Sequence, residues 1–324
     1  MIVTLTANPN LDRTQHVETI SWGSVNRSRR SSVYASGKGV NVSRMLAANG
    51  VATVAIFPSG GPNGKEHARL LEAEGVPFCS TPMTGDVRSV ISIVEVDGTL
   101  TQFNEAGPEL DDAEVAALAA LTLKAAIQAD FLVVSGSLPP GLNGQFYADI
   151  ISAASGLGTP TALDTSAPWL REPLSAGPAV IKPNVYELAQ ATGSSPRSIG
   201  DVIRLADQLR QVGALSVLVS MGEDGVVLIG EGTLVHGELE QAPIASAAGA
   251  GDALLAGYLA VGGGPVGVAE GLAWAAAACR EPGTAAPKVL DTDRAVVRMH
   301  DSVDTGRQLT SSKPDLAKQQ RHGA

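Results

Sequence analysis

Ala248-Gly249-Ala250-Gly251-Asp252 runs directly into Ala253-Leu254-Leu255-Ala256-Gly257-Tyr258-Leu259. A loop of small residues opens an apolar helix, and a carboxylate sits in the first turn. Glycine lets the backbone bring its N–H groups close to a ligand. A helix N-terminus adds unpaired donors and a partial positive charge, so an anion, phosphate above all, is held well there. Asp252 can take the proton of a hydroxyl as that hydroxyl attacks phosphorus. The loop alone is equally well read as an ordinary turn whose Asp complements the helix dipole, and the surrounding sequence decides.

Outward from this loop, strand and helix patterns alternate. Ile2–Thr6, Thr53–Phe57, Phe131–Val134, Thr161–Leu163, Ala179–Ile181 and Leu215–Ser220 read as short apolar strands, and Gly225–Ile229 opens a small hairpin. Val40–Ala48, Lys65–Glu74 and Asp111–Ile127 read as helices, and the two strands from Thr161 and Ala179 are each followed by helical pattern. This alternation predicts an α/β fold, a mostly parallel sheet covered by helices on both faces. The 324 residues allow about two domains, although one α/β core can reach this size. With 44% hydrophobic but only 4% aromatic residues, the core is expected to be Ala/Val/Leu with close helix-on-sheet packing.

Two segments break the alternation. Thr14–Ser36 and Arg88–Phe103 carry strand patterns without a helix, and Val90–Val96 followed by Asp97-Gly98 is a hairpin signal. They are expected to form one small β-sheet, a lid over the site that can also pair with a second copy. The organisation expected is thus a core from residues 1–13, 37–87 and 104–303, a lid from 14–36 and 88–103, and a polar, disordered tail from 304 to 324.

The net charge of −10 gives no basic footprint for nucleic acid, though a few cations focused in one cleft can still hold an anionic substrate. Cys79 and Cys279 stand far apart without a partner motif, so they are expected in the core rather than in a disulfide, a zinc site or a catalytic role. The five histidines show no metal spacing. Met1–Thr6 reads as a first strand rather than a leader, and the apolar stretch Val266–Cys279 is too short to span a bilayer. A soluble cytoplasmic protein without nucleic-acid or membrane partners is expected.

Other loops end strands or open helices. Gly37-Lys38-Gly39-Val40-Asn41 places a compact cation and an amide beside glycines, and it is not a Walker A loop because Gly39 follows the lysine. Asn184 and Glu187, at i and i+3, either cap a helix or hold Mg²⁺ through its waters. Ser135-Gly136-Ser137 and Ser220-Met221-Gly222-Glu223-Asp224-Gly225 end buried strands, where ligands gather in parallel sheets. Ser137 does not sit in a Gly-x-Ser-x-Gly elbow, so a hydrolase is poorly supported.

Taken in order, these pieces resemble the PfkB-type sugar kinases of the ribokinase-like superfamily over roughly residues 1–300. The resemblance rests on Asn8-Pro9-Asn10-Leu11-Asp12, Val25-Asn26-Arg27, Gly37-Lys38-Gly39-x-Asn41-Val42, Ser135-Gly136-Ser137-Leu138-Pro139, Lys182-Pro183-Asn184-x-x-Glu187 and Gly249-Ala250-Gly251-Asp252. The set is most similar to the 1-phosphofructokinase/tagatose-6-phosphate kinase branch. It implies a ribokinase-like three-layer α/β/α core with a small β-sheet lid, ATP as co-substrate, Mg²⁺, and a homodimer through the lid. It also implies Asp252 as catalytic base with Gly249, Ala250 and Gly251 as anion hole. Lys182, Asn184, Glu187, Ser220, Gly222 and Gly225 would lie along ATP, with Asn184 and Glu187 organising the metal. Asp12, Gly37 and Asn41 would hold sugar hydroxyls. Lys38 and Arg88 would hold the phosphate already on the sugar, with Ser137 and with Arg27 of a second copy's lid.

The activity implied is ATP-dependent phosphorylation of a ketohexose phosphate, fructose 1-phosphate to fructose 1,6-bisphosphate. Rival readings are a tagatose 6-phosphate or fructose 6-phosphate kinase, and a non-catalytic sensor of sugar phosphate or nucleotide on the same fold. Two positions depart from the family pattern. Ser36 stands where Gly is usual before Gly37, where its hydroxyl could crowd the sugar or add a hydrogen bond. Ser246-Ala247 stands where much of the superfamily has Asp-Thr, so no monovalent-cation site is carried over.

Overall fold

Residues at both parities along the central strands are apolar, so both faces of the sheet must be covered. The structure, a computed structural model, describes residues 1–240, 246–281 and 283–310. Its first half contains β1 (Ile2–Thr6), β2 (Asn10–His16), β3 (Arg30–Ser36), α1 (Lys38–Ala48), β4 (Thr53–Ser59), α2 (Gly61–Ala73), β5 (Phe78–Pro82), β6 (Arg88–Val94), β7 (Leu100–Asn104), α3 (Asp112–Ala126), β8 (Phe131–Ser135), α4 (Gly144–Gly156) and β9 (Thr161–Asp164). There follow β10 (Val180–Ile181), α5 (Val185–Thr192), α6 (Ile199–Val212), β11 (Val217–Ser220), β12 (Val226–Gly230), β13 (Thr233–Leu239), α7 (Ala250–Ala260), α8 (Gly264–Arg280), α9 (Asp291–Ala295) and β14 (Val297–Met299).

Ten strands form the main sheet in the order β14-β13-β12-β11-β10-β9-β8-β1-β4-β5. The run from β5 to β11 is parallel, and β12, β13 and β14 extend it antiparallel. Alternate residues feed two cores. Val3, Leu5, Leu132, Val134, Leu163 and Ile181 pack with Leu118, Tyr147, Ile150, Leu188 and Leu205 of α3–α6. Ile2, Val133, Ala162, Val180 and Leu218 pack with Val42, Leu46, Leu255 and Trp274 of α1, α7 and α8. Three layers result. Helices α7 and α8 approach closely because their contact is built on glycine: a Cβ on Gly257 would lie 2.7 Å from the Trp274 ring.

A separate four-stranded sheet has the order β3-β2-β6-β7, with β2 and β6 parallel. It takes in residues from Asn10 rather than Thr14, because Asn10 already pairs with Ser36 and Arg88. Two other expectations differ. The helical pattern after β9 resolves into two short 3-10 turns, Ala167–Trp169 and Glu172–Ala176, each with proline in its first turn. Cys79 is exposed on the edge strand β5, and only Cys279 is buried.

The expected tail is a correction over residues 304–310. Leu309 is 4% exposed, Ser198 bridges Gln308, and Thr310 donates both its N–H (2.7 Å) and its hydroxyl (2.8 Å) to the buried Asp224 carboxylate. Arg307 pairs with Glu238 at 2.7 Å and reaches Asp224 at 3.3 Å. The polar composition conceals this docking because one buried apolar side chain, Leu309, is joined by ion pairs and hydrogen bonds to distant partners. Residues 311–324 of that expectation lie outside the described residues.

Candidate active site

The carboxyl ends of β1, β8, β9 and β10 and the N-termini of α1, α5 and α7 point to one region. Gly249, with φ 78°, turns the chain into α7, and this N-terminus has no side-chain cap, leaving its donors to a ligand. The N–H of Ala250 closes a turn onto the Ala247 carbonyl at 3.3 Å, while those of Gly249 and Gly251 have no backbone partner among the described residues. Asp252, 7% exposed, sits in the first turn. Asn41 of α1 donates Nδ2–H to its Oδ2 at 2.8 Å.

Four charged side chains converge beside Asp252. Asp164, the last residue of β9, is fully buried and pairs with Lys38 at 2.7 Å and Lys182 at 3.1 Å. Lys38 also reaches Glu187 at 3.4 Å. Burial favours the neutral acid at Asp164, but the ammoniums of Lys182 and Lys38 hold its pKa below the usual carboxylate value. For Asp252, burial and then the nearby negative charge of Asp164 win over Lys38, Asn41 and Lys182, and the pKa is pushed up to about 6. A carboxylate tuned into that range suits a general base at neutral pH.

A cavity of about 730 Å³ opens above Asp252, lined among others by Asp12, Gly37, Lys38, Asn41, Arg88, Ser137 and Gly249. Gly37 is required at its place: its φ is 124°, and a Cβ there would come 2.6 Å from Thr6. Asp12 accepts hydroxyl hydrogens from Thr14 and Ser92, both at 3.2 Å, and burial raises its pKa. Arg88, also in the lining, donates to the carbonyls of Asn8 and Glu105 and to Ser137 Oγ at 3.3 Å. Arg88 is engaged with Ser137 and Lys38 with the Asp164 and Glu187 carboxylates, and both cations line this one cavity. Arg27 is exposed and does not line this cavity.

Lys182, Asn184, Glu187, Ser220, Gly222 and Gly225 lie outside the cavity lining, at and after β10 and β11. The Lys182 ammonium is 3.3 Å from where a Gly251 Cβ would stand, so it adjoins the anion-binding loop. Asn184 and Glu187 form a full capping box on α5, with Asn184 Oδ1 taking the Glu187 N–H and Glu187 Oε2 taking the Asn184 N–H, each at 2.9 Å. The cap uses one oxygen of Glu187. Among the described residues its other oxygen has only the 3.4 Å contact to Lys38, and the donor set is all oxygen, which fits a hydrated Mg²⁺.

Sequence reasoning missed Asp164. The available signal was an acidic residue directly after a buried strand, at the carboxyl edge of a parallel sheet. It did not foresee that His236 and His300 stack with centroids 4.5 Å apart, beside Glu238. Their rings are nearly parallel and Glu238 is already paired with Arg307, so the trio secures the C-terminal segment.

The parallel-centred α/β core is a ribokinase-like fold, and its uncapped helix end over a buried carboxylate is suited to holding a phosphate. Residues 7–288 match the pfkB family of carbohydrate kinases, and the chain belongs to that family. It is 32% identical over 256 residues to a 1-phosphofructokinase of Vibrio cholerae (79% of this chain, 81% of the relative). It is 36% identical over 262 residues to one of Rhodobacter capsulatus (80% and 82%). Among solved structures, phosphofructokinase-2 of Escherichia coli in complex with potassium superposes with a TM-score of 0.84 at 29% identity, covering 91% of this chain and 97% of that one. No helix among the described residues is long and apolar enough to cross a membrane.

Proposed function

We propose that this chain transfers the γ-phosphoryl group of ATP to the 6-hydroxyl of fructose 1-phosphate, giving fructose 1,6-bisphosphate and ADP. The observation that carries the reading is Asp252, buried at the uncapped N-terminus of α7 and flanked by Lys38 and Lys182, in a cavity also lined by Arg88 and Ser137.

In the reaction the 6-hydroxyl oxygen forms its bond to the γ-phosphorus as the bond to the bridging oxygen of ADP breaks, and the hydroxyl proton passes to Asp252. The N–H groups of Gly249 and Gly251, joined by Ala250 when the anion seats, stabilise the charge spread over the transferring group. Lys38 and Lys182 flank that group and neutralise it. Asp12 and Asn41 orient the sugar hydroxyls, and Arg88 with Ser137 holds the 1-phosphate. ATP lies along Lys182, Ser220, Gly222 and Gly225. Asn184 and Glu187 would hold Mg²⁺ through its waters, and the ion would draw negative charge off the phosphates.

The small sheet serves as a lid, and a second copy packs on its outer face, bringing Arg27 toward the partner's sugar phosphate. Ile91 and Phe103 are cross-strand partners, 39% and 51% exposed, which makes that face apolar. One solved relative is a tetrameric inhibited form of the Escherichia coli enzyme, so an assembly larger than the dimer is the alternative. The cytoplasm is the proposed location.

A second reading, phosphorylation of fructose 6-phosphate or tagatose 6-phosphate at the 1-hydroxyl, is favoured by the likeness to phosphofructokinase-2, solved also with fructose 6-phosphate. Coupled measurement of ADP release on fructose 1-phosphate, fructose 6-phosphate, tagatose 6-phosphate and fructose decides. The highest kcat/KM on fructose 1-phosphate supports the first reading. A higher value on either 6-phosphate replaces it with the second, and binding without ADP release on any of them indicates a sensor.

A further inference from the structure

Asn41 can help Asp252 only if its amide nitrogen, not its oxygen, faces the carboxylate. The ionised carboxylate itself favours the nitrogen, and a donor on the other side of the amide reinforces that choice, because rotation by 180° would turn the amide N–H groups against it. In this chain the other side of the amide meets Ser36: the Ser36 hydroxyl donates to Asn41 Oδ1 at 3.3 Å, and Asn41 Nδ2 donates to Asp252 Oδ2 at 2.8 Å. Ser36 is itself held. It is 5% exposed at the end of β3, pairs with Asn10 of β2, and its carbonyl lies 3.1 Å from Nε2 of His67. His67 is fully buried edge-on to Phe57, and burial pushes its pKa down to about 4, so it is neutral and donates Nε2–H to that carbonyl. A continuous line of donors therefore runs from α2 through the last residue of β3 and the first turn of α1 to Asp252.

We propose that Ser36 is a positioning residue: its hydroxyl locks the Asn41 amide with the nitrogen toward Asp252, and so orients the carboxylate for the attacking hydroxyl. Ser36 was singled out in the sequence as a departure from the usual glycine. The geometry turns that departure into an added hydrogen bond rather than a crowded sugar site. A glycine or alanine at 36 leaves Asn41 Oδ1 without this donor, and the flipped amide would set oxygen against carboxylate. The charged groups that face Asp252 are Asp164 of β9, Lys38 of α1 and Lys182 beside β10. None of them contacts Ser36, so the line through Asn41 is independent of them.

The inference rests on the reading of Asp252 as the base, and the test separates the two. Ser36→Ala, Asn41→Ala and the double variant are compared with wild type in kcat, in KM for each substrate and in the pH dependence of kcat, with thermal melts confirming the fold. Loss of one neutral hydrogen bond in the transition state predicts a fall in kcat of about fivefold for Ser36→Ala, with KM for ATP unchanged. The acid limb of kcat should move to higher pH, since Asp252 keeps its proton more firmly without the Asn41 donor. In the Asn41→Ala background Ser36→Ala should cost nothing more, because the two residues act in series. An equal loss in both backgrounds, or an unchanged kcat and acid limb in Ser36→Ala, overturns the proposal and leaves Asp252 as base untouched. An active Asp252→Asn enzyme overturns both.

Discussion

The ammonium of Lys38 lies 2.7 Å from Oδ1 of Asp164, a carboxylate that solvent does not reach, and Lys182 closes the other oxygen at 3.1 Å. One buried anion thus spaces two cations on either side of the position assigned to the transferring phosphoryl group. Asp164→Asn removes the anion and leaves two like charges in a poorly solvated place. Removing one partner of a buried ion pair costs about 3–5 kcal/mol, so the variant should melt well below wild type. Lys38 and Lys182 should also separate, lowering kcat more than tenfold in protein that remains folded. Wild-type kcat in that variant would show that the spacing plays no part in turnover.

Asp252→Asn should keep the fold and ATP binding yet lose about 10²–10⁴-fold in kcat, the usual size of a general-base contribution. With the wild-type pKa near 6, the carboxylate is the active form, and kcat should fall as pH drops through that value. The stability effect has the opposite sign. A carboxylate whose folded pKa is raised binds its proton more tightly folded than unfolded, so its ionisation weakens the fold as pH rises from about 4 through 6. Asp252→Asn should therefore melt higher than wild type at pH 8, by an amount that shrinks toward pH 4. Equal melting differences at both pH values would contradict the assigned shift.

Arg88→Ala should raise KM for the sugar phosphate about 30–150-fold, the equivalent of a lost charged hydrogen bond of 2–3 kcal/mol, with little change for ATP. Free fructose should be a poor acceptor in the wild type, because it leaves Arg88 without an anion when water is excluded. If Arg88→Ala moves only the ATP constant, this arginine serves the nucleotide.

Ending the chain at Val303 removes Arg307 and Thr310 from Asp224, which is 1% exposed and follows Gly222 in the turn assigned to ATP. Leaving that charge unpaired should cost about 3 kcal/mol and raise KM for ATP. Ending it at Thr310 retains all of these contacts and should change neither. Scanning calorimetry on the two truncations, with ATP kinetics, distinguishes them. A Val303 truncation as stable as the full chain would mean that the segment rests on the core without supporting it.

The alternation of apolar strands with helices was legible because each central strand feeds two cores, as Leu132/Val134 and Val133 do. The loops around Gly37, Asn184 and Gly249 were legible because glycine and capping residues carry local signals. Asn184 and Glu187 cap as their spacing predicts. What stayed hidden depends on partners far apart in the chain. Asp164 means nothing until β9 lies beside Lys38 and Lys182, 126 residues apart from the first of them. The polar run from residue 304 reads as unpacked until Asp224, 86 residues before Thr310, is seen to receive it. Cys79 was misplaced because an edge strand exposes one face that its sequence does not mark.

The grip of Thr310 on Asp224 also bears on how the protein is made. The turn at Gly222–Gly225 leaves the ribosome long before residue 310, so it must wait for the last stretch of the chain before its buried carboxylate is satisfied. A nascent chain stalled near its end would carry a finished sheet and an unfinished nucleotide turn. A firm hold on ATP is thereby expected only once residue 310 has emerged, and a chain stopped before it should be a less stable enzyme with weaker affinity for the nucleotide.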